Sequence, residues 1–188
     1  MKLFTIQKEY KWLEFQKTGI LRADDKIICE ESFIESYFWI EDKMHKLLPK
    51  PDIKTIHPIW AWYRYCGKNK PDLRKSGHIE KGEIGYRIEF EINDDKVLLT
   101  DFSNWHLILN ASEQDRINKK FIFCHLDEIN QDYLESLLND GFEIIENQIV
   151  LNWDNIILEK KSHVRDIQAT LWHVNISQVI NVDKFKSR

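Results

Sequence analysis

The sequence predicts an α+β fold, a single domain of mostly antiparallel strands in a split or curved sheet with flanking helices. Three observations carry that expectation. Short runs with strand periodicity are scattered along the chain and do not alternate regularly with helices, as a doubly wound parallel sheet would require. Two of them, residues 87–92 and 97–100, are separated only by a turn at Asn93-Asp94-Asp95, which predicts a hairpin. No internal repeat or low-complexity linker divides the 188 residues, a length that suits one hydrophobic core.

The elements follow in order. A short apolar strand at 3–6 runs at once into a helical pattern through Tyr10, Trp12, Leu13 and Phe15. Gly19 ends it, because glycine takes the left-handed cap without a Cβ penalty. After a charged turn at 22–26, Phe33, Tyr37, Ile40, Met44 and Leu47 recur every three or four residues, the spacing of one helix face, until Pro49 and Pro51 stop it. An aromatic strand begins at Pro58. Alternation places Ile59, Ala61, Tyr63 and Tyr65 on one side of it and Trp60, Trp62, Arg64 and Cys66 on the other.

Residues 67–86 hold four of the six glycines together with Lys68, Lys70, Arg74, Lys75 and Lys81. A connection longer than roughly 12–15 residues is usually a lid, a binding loop or disordered, so a mobile loop is expected here. In 87–92, Ile88, Phe90 and Ile92 point inward and Arg87, Glu89 and Glu91 outward. Residues 97–100 read as a more buried strand. Asp101 or Ser103 caps a short helix carrying Trp105, Ile108 and Leu109, which residues 112–120 extend or leave as a loop.

A brief strand at 121–124 precedes a helix capped by Asp127, with Ile129, Tyr133, Leu134, Leu137 and Leu138 on one face and Asn139-Asp140-Gly141 closing it. Residues 149–158 read equally as helix or strand. Residues 167–174 form a strand, 177–182 a helical turn or a second short strand, and 183–188 a frayed basic tail.

Composition narrows the function classes. Hydrophobic residues at 43% and charged ones at 31% are ordinary for a soluble globular chain. A net charge of −4 gives no general attraction to polyanions, so duplex DNA is not an expected partner and phosphate binding would need a local basic patch. Cys29, Cys66 and Cys124, odd in number and far apart, suit reduced thiols in the cytoplasm. The first residues are too short in apolar run for a signal peptide, and no run of about 18 apolar residues spans a membrane. A cytoplasmic chain is therefore expected. The seven histidines show no metal-ligand spacing, and no metal is expected.

Trp60, Trp62, Tyr63, Arg64 and Tyr65 form either a stacking wall for a flat ligand, with Arg64 taking a phosphate or carboxylate, or the packing between sheet and helices. The basic loop bearing Arg74 closes over a phosphate or is a solvated loop. Glu89 and Glu91 pair as acid and base, or line a solvated outer face. Asp101 is a catalytic acid or a helix cap. Cys66 and Cys124 have no activating partner nearby in sequence and read as buried thiols.

Leu3-Phe4-Thr5-Ile6-Gln7, Pro58-Ile59-Trp60-Ala61-Trp62-Tyr63, Lys70-Pro71-Asp72-Leu73-Arg74 and Val97-Leu98-Leu99-Thr100-Asp101-Phe102 with Trp105-His106 resemble a bacterial domain family of unknown function over most of the chain. That likeness transfers no activity. Gln7, Gly19-Ile20-Leu21, Tyr63 or Tyr65, and Ser177-Gln178-Val179-Ile180 after Gln168-Ala169-Thr170-Leu171-Trp172 more weakly resemble the ADP-ribosyltransferase superfamily.

This second resemblance implies a cleft binding NAD or a related nucleotide, with Gln7 on the ribose and Tyr63 or Tyr65 on the nicotinamide, and ADP-ribosyl transfer or NAD glycohydrolysis; Trp62, Arg64, Arg74 and Gln168 join that binding set from the residues themselves. It places Gln168 or Thr170 where the superfamily has its catalytic Glu. An amide accepts a ribose hydroxyl but supplies no full charge to an oxocarbenium-like centre, so either Glu89, Glu91 or Asp101 substitutes or the domain binds a nucleotide without turning it over. The alternative is a non-enzymatic module that binds a protein or single-stranded nucleic acid through an aromatic-basic surface.

Overall fold

The structure is a computed structural model that describes residues 1–24, 33–51, 53–55, 57–75, 77–158 and 163–188. Cys29 and the last residues of the expected charged turn lie outside them. β1 (Lys2–Lys8) runs directly into α1 (Glu9–Thr18), and Gly19 closes the helix at φ 75° with its N–H on the Phe15 carbonyl. β2 (Ile20–Arg22) follows, then α2 (Ile34–Leu47), β3 (Ile59–Arg64), β4 (Ile84–Glu91) and β5 (Leu98–Asp101). The middle of the chain supplies α3 (Phe102–Leu109), α4 (Glu113–Asn118), β6 (Lys120–His125), α5 (Gln131–Asn139), β7 (Phe142–Ile145) and β8 (Gln148–Asn152). The last strands are β9 (Ile157–Leu158), β10 (Ile167–Leu171), β11 (His173–Asn175) and β12 (Val179–Lys186).

The chain is a single α+β domain. Its principal sheet has the order β12-β4-β1-β3-β10-β5-β9, with every pairing antiparallel. Two smaller sheets pair β11 with β2 and order β6-β8-β7. Between β1 and β3 the ladder consists of one residue pair, Phe4 opposite Trp62, supported by the Thr5 hydroxyl donating to the Trp60 carbonyl at 3.0 Å. The large sheet is thus two well-paired halves joined at a point.

Apolar alternation explains the two cores. On one face Leu3, Ala61, Ile88, Phe90, Ala169 and Leu171 pack with Phe15 of α1. On the other, Leu98 and Trp60 meet Trp39, Ile40 and Met44 of α2, Trp105 and Ile108 of α3, and Ile149 and Leu151 of β8. Within α2 the buried stripe also takes Ser36, Trp39 and Glu41, while Leu47, expected inside, is 57% exposed. The stripe follows the neighbours that α2 meets, and Glu41 is accommodated by His57 Nδ1 at 2.7 Å.

Several expectations change. Strands β4 and β5 form no hairpin: β4 lies between β12 and β1, and β5 between β10 and β9. The α5 cap is Asn130, whose side chain accepts the Tyr133 N–H at 2.9 Å, not Asp127, which sits in a preceding 3₁₀ turn. Residues 149–158 are neither one helix nor one strand but the end of β8, a 3₁₀ turn at Trp153–Ile156, and β9. The hairpin of β7 and β8 turns on Glu146 and Asn147, both at positive φ (48° and 64°), as a two-residue turn of the primed type requires.

The tail expected to fray is the second half of β12, held along β4 as far as Lys186 opposite Ile84. Residues 65–75 and 77–83, expected to belong to a mobile loop from 67 onward, lie along the outer face of β4 as a strap. Arg87 Nη1 donates to the Pro71 carbonyl, and Ser187 bonds the Ile79 carbonyl at 3.0 Å. Arg87 is therefore 9% exposed although it lies on the strand's outward side.

Candidate functional site

β3 carries one residue more than its partner. Gln168 lies opposite Trp62, but the adjacent Ile167 lies opposite Arg64. Such a bulge reverses the phase of the strand beyond it. Tyr65 therefore turns to the side of Trp62, with ring centroids 4.7 Å apart, instead of sharing a side with Tyr63. Tyr63 remains packed on the first core. Cys66, two residues past the strand, turns at φ 51°, in the left-handed region that costs a non-glycine residue about 1–2 kcal/mol. Its N–H is held by the Asp166 carboxylate.

Phe102, the first residue of α3, approaches Trp62 from the other side at 4.9 Å, and His106 meets Phe102 at 4.3 Å. Beyond Tyr65 comes His78 of the strap, at 5.3 Å. The row His106, Phe102, Trp62, Tyr65, His78 is thus continuous, and each of its rings keeps part of its surface in solvent. The Lys75 ammonium sits 5.6 Å from the Tyr65 ring centroid and 2.9 Å from Cys66 Sγ. Burial pushes the Tyr65 phenol above its usual range, the charge on Cys66 adding to the effect and Lys75 opposing it.

A polar cleft of about 610 Å³ adjoins this row, lined among others by Asp101, Asn104, Asp140, Arg165 and Asp166. It forms because Ile167 of β10 is flanked by Arg64 of β3 and Asp101 of β5, which brings three strand ends together. The segment 163–166 is fixed there by backbone-directed bonds. Arg64 Nη1 donates to the Val164 carbonyl at 2.7 Å, and the Gly67 and Phe102 N–H groups donate to the carbonyls of Arg165 and Asp166, each at 3.0 Å.

Asp101 caps α3 by accepting the Asn104 N–H at 3.0 Å, and it is 5% exposed. Burial raises its pKa above the ordinary carboxylate value. The N–H groups of Asn104 and Ser103 oppose that shift, and the charges of Asp140 and Asp166 reinforce it. A carboxyl with a raised pKa at the floor of a cleft is able to hold a proton or to accept a ligand hydroxyl.

Trp62, Arg64, Tyr65, Asp101 and Gln168 are brought to this region. The others are not. Register puts Gln7 on the face of Leu3, Tyr86 and Ile88, and Gln168 on the face of Trp62 and Phe4, so the expected convergence of Gln7 with Gln168 does not occur. The Gln7 amide bonds Thr5 Oγ1 at 2.8 Å. Glu89 shares a cross-strand row with Gln168 but is separated from it by Phe4 and Trp62, and it pairs with Lys2 at 2.8 Å.

Arg74 pairs with Asp72 at 2.7 Å in the exposed strap, holding that carboxyl well below its ordinary range. Trp60 is taken up by Trp105 (5.2 Å) and Tyr37 (6.3 Å). Phe102, His106, His78, Asp140 and Asp166 escaped the sequence reading. Only Phe102 carried a signal, as an aromatic next to a candidate carboxylate. Among the described residues no group of three or more His, Cys, Asp or Glu is placed to hold a metal ion, and no helix is long and apolar enough to cross a membrane.

Comparison with curated proteins and with solved structures gave no match. The likeness to ADP-ribosyltransferases therefore rests on the sequence fragments alone. A family model described as a domain of unknown function, DUF3841, matches residues 2–180, nearly the whole chain, and the protein belongs to that family.

Proposed function

We propose that the end of the β3-β10-β5 half-sheet binds a flat, hydroxyl-bearing ligand of the nucleoside class, with NAD or a related nucleotide as the representative to test. The observation that carries this reading is a buried carboxyl of raised pKa, Asp101, at the floor of a polar cleft that adjoins a row of half-exposed rings. A base or nicotinamide gains stacking on Trp62 and Tyr65, and hydroxyl groups reach the Asp101 side of the cleft. Asp101 is the carboxylate this reading uses in place of Glu89, which is committed to Lys2. Arg64 has a positioning role through the Val164 carbonyl. The proposal is for binding; hydrolysis of NAD is a separate outcome of the same experiment.

The test is calorimetric titration with NAD and with adenosine at two temperatures, beside Trp62→Ala and Asp101→Asn. Saturable binding that weakens about tenfold or more in Trp62→Ala, the scale of one lost base–aromatic stack, supports the site. Absence of heat at both temperatures, or binding that neither variant changes, removes it. The alternative aromatic-basic docking surface calls for exposed Trp60 and Trp62 on an open face with Lys68 to Lys75 beside them. Trp60 is partly buried against Trp105 and Tyr37, so that reading rests on Trp62 and Tyr65 with the exposed Lys68, Lys70 and Lys75.

A further inference from the structure

Gln168 of β10 is flanked by Trp62 of β3 and Thr100 of β5, so its side chain leaves the sheet on the face that carries Trp62. Directly paired residues keep their Cβ atoms about 5 Å apart, which sets the amide beside the indole. The next row on that face is Trp60, Thr170 and Leu98, which packs with Trp105. There the Thr170 hydroxyl donates to the Leu98 carbonyl at 3.3 Å. Gln168 is thus the first residue of β10 on that face, at the rim where the core opens.

Among the described residues the Gln168 amide has no hydrogen-bond partner, and neither its oxygen nor its nitrogen is sealed from solvent. A half-buried amide without a partner serves the fold less well than a hydrocarbon of the same shape. The polar groups along the neighbouring rings already have partners. His106 Nδ1 meets the Phe102 carbonyl at 2.8 Å, and His78 Nε2 meets the Asp72 carbonyl at 3.0 Å. The Tyr65 phenol and the Lys75 ammonium both turn to Cys66 Sγ, and Arg64 is held by the Val164 carbonyl. The Trp62 indole carries a donor alone. An amide presents an acceptor and donors side by side, which no other group along this row does.

We propose that Gln168 selects the base at this site, reading the edge of an adenine-type ring stacked on Trp62. This inference rests on the nucleoside reading above. The amide oxygen accepts from an exocyclic amino group while its NH₂ donates to the adjoining ring nitrogen, the two-point pairing by which glutamine recognises adenine. The two polar contacts divide the ligand between them: Asp101 takes hydroxyl groups and Gln168 takes the base.

The experiment is calorimetric titration of the protein with adenosine and with purine riboside, which lacks the 6-amino group and keeps the ring system and the sugar. The parent should bind adenosine about tenfold more tightly, the scale of one hydrogen bond left unmade. Gln168→Leu keeps the bulk and removes the amide, so it should bind the two nucleosides equally. Gln168→Met gives the same comparison where leucine disturbs the packing. Equal binding of both nucleosides by the parent, or an adenosine preference that survives in the variants, overturns the base-reading role and leaves the nucleoside site standing. Binding of neither nucleoside overturns both.

Discussion

Asp101 serves its helix and the cleft with one carboxyl, and its pH behaviour separates the two. A carboxyl whose pKa is higher folded than unfolded holds its proton more tightly in the native state. Stability therefore falls as pH rises from the ordinary aspartate value through the raised one, and the penalty is complete above it. Asp101→Asn keeps an oxygen for the Asn104 N–H and removes the charge. Urea unfolding should find the variant at least as stable as the parent at about pH 7, with any advantage gone at about pH 3, where both carboxyl states are protonated. A large loss at neutral pH would instead mean that ionised Asp101 is satisfied in the fold.

Arg87 gives the opposite case. Its guanidinium, held by Asp183 at 2.6 Å and by the Pro71 carbonyl, draws the Asp183 carboxyl below its usual range. That contribution is present above the ordinary aspartate value and is lost as pH falls through the depressed one. Arg87→Met should cost about 1–2 kcal/mol in denaturant midpoint analysis, the low end for a buried charged donor because Asp183 is one-third exposed to solvent. The cap at Asp101 was readable from residue type, but its burial and the partners of Arg87 were not. The sequence showed an acid before a helix and an arginine on an outward strand position, and burial by partners distant in the chain decided both.

At the scale of elements, helices were legible where local chemistry ends them. Gly19 takes the left-handed cap that no other residue type takes as cheaply, and Asp101 lies where a cap was expected. Where two polar residues compete, spacing alone does not choose. Asp127 and Asn130 both precede the apolar run of α5, and the chain uses Asn130 because a 3₁₀ turn occupies 126–128. Asn130→Ala should lower the unfolding free energy by about 1 kcal/mol, while Asp127→Ala should change it by less than about half that. Equal effects would indicate that the turn and the helix form one capped unit. Strand β3 was legible as a strand, but its bulge was not. An extra residue is defined against a partner a hundred positions away, and it is that bulge that sets Tyr65 beside Trp62.

For the whole molecule, the order β12-β4-β1-β3 makes eight of the last ten residues, Val179–Lys186, part of the sheet. β12 pairs with β4 from Val179 to Lys186, and Ser187 ties the strap at Gly82, Glu83 and Ile79. A chain ending before Val179 would lose that ladder and leave β4 an open edge. It should show no cooperative thermal transition, since the loss rivals the roughly 5–15 kcal/mol that holds a domain together. A cooperative melt in the shortened chain would show β12 to be dispensable.

The α+β class, the positions of most helices and strands, and the aromatic concentration around Trp62 followed from the sequence itself, because periodicity, caps and breakers act within a few residues. Which strands pair, which face each side chain takes, and the separation of Gln7 from Gln168 were decided only by the tertiary structure. Pairing depends on contacts between segments far apart in the chain, and a single added residue in β3 is enough to move a ring from one face of the sheet to the other.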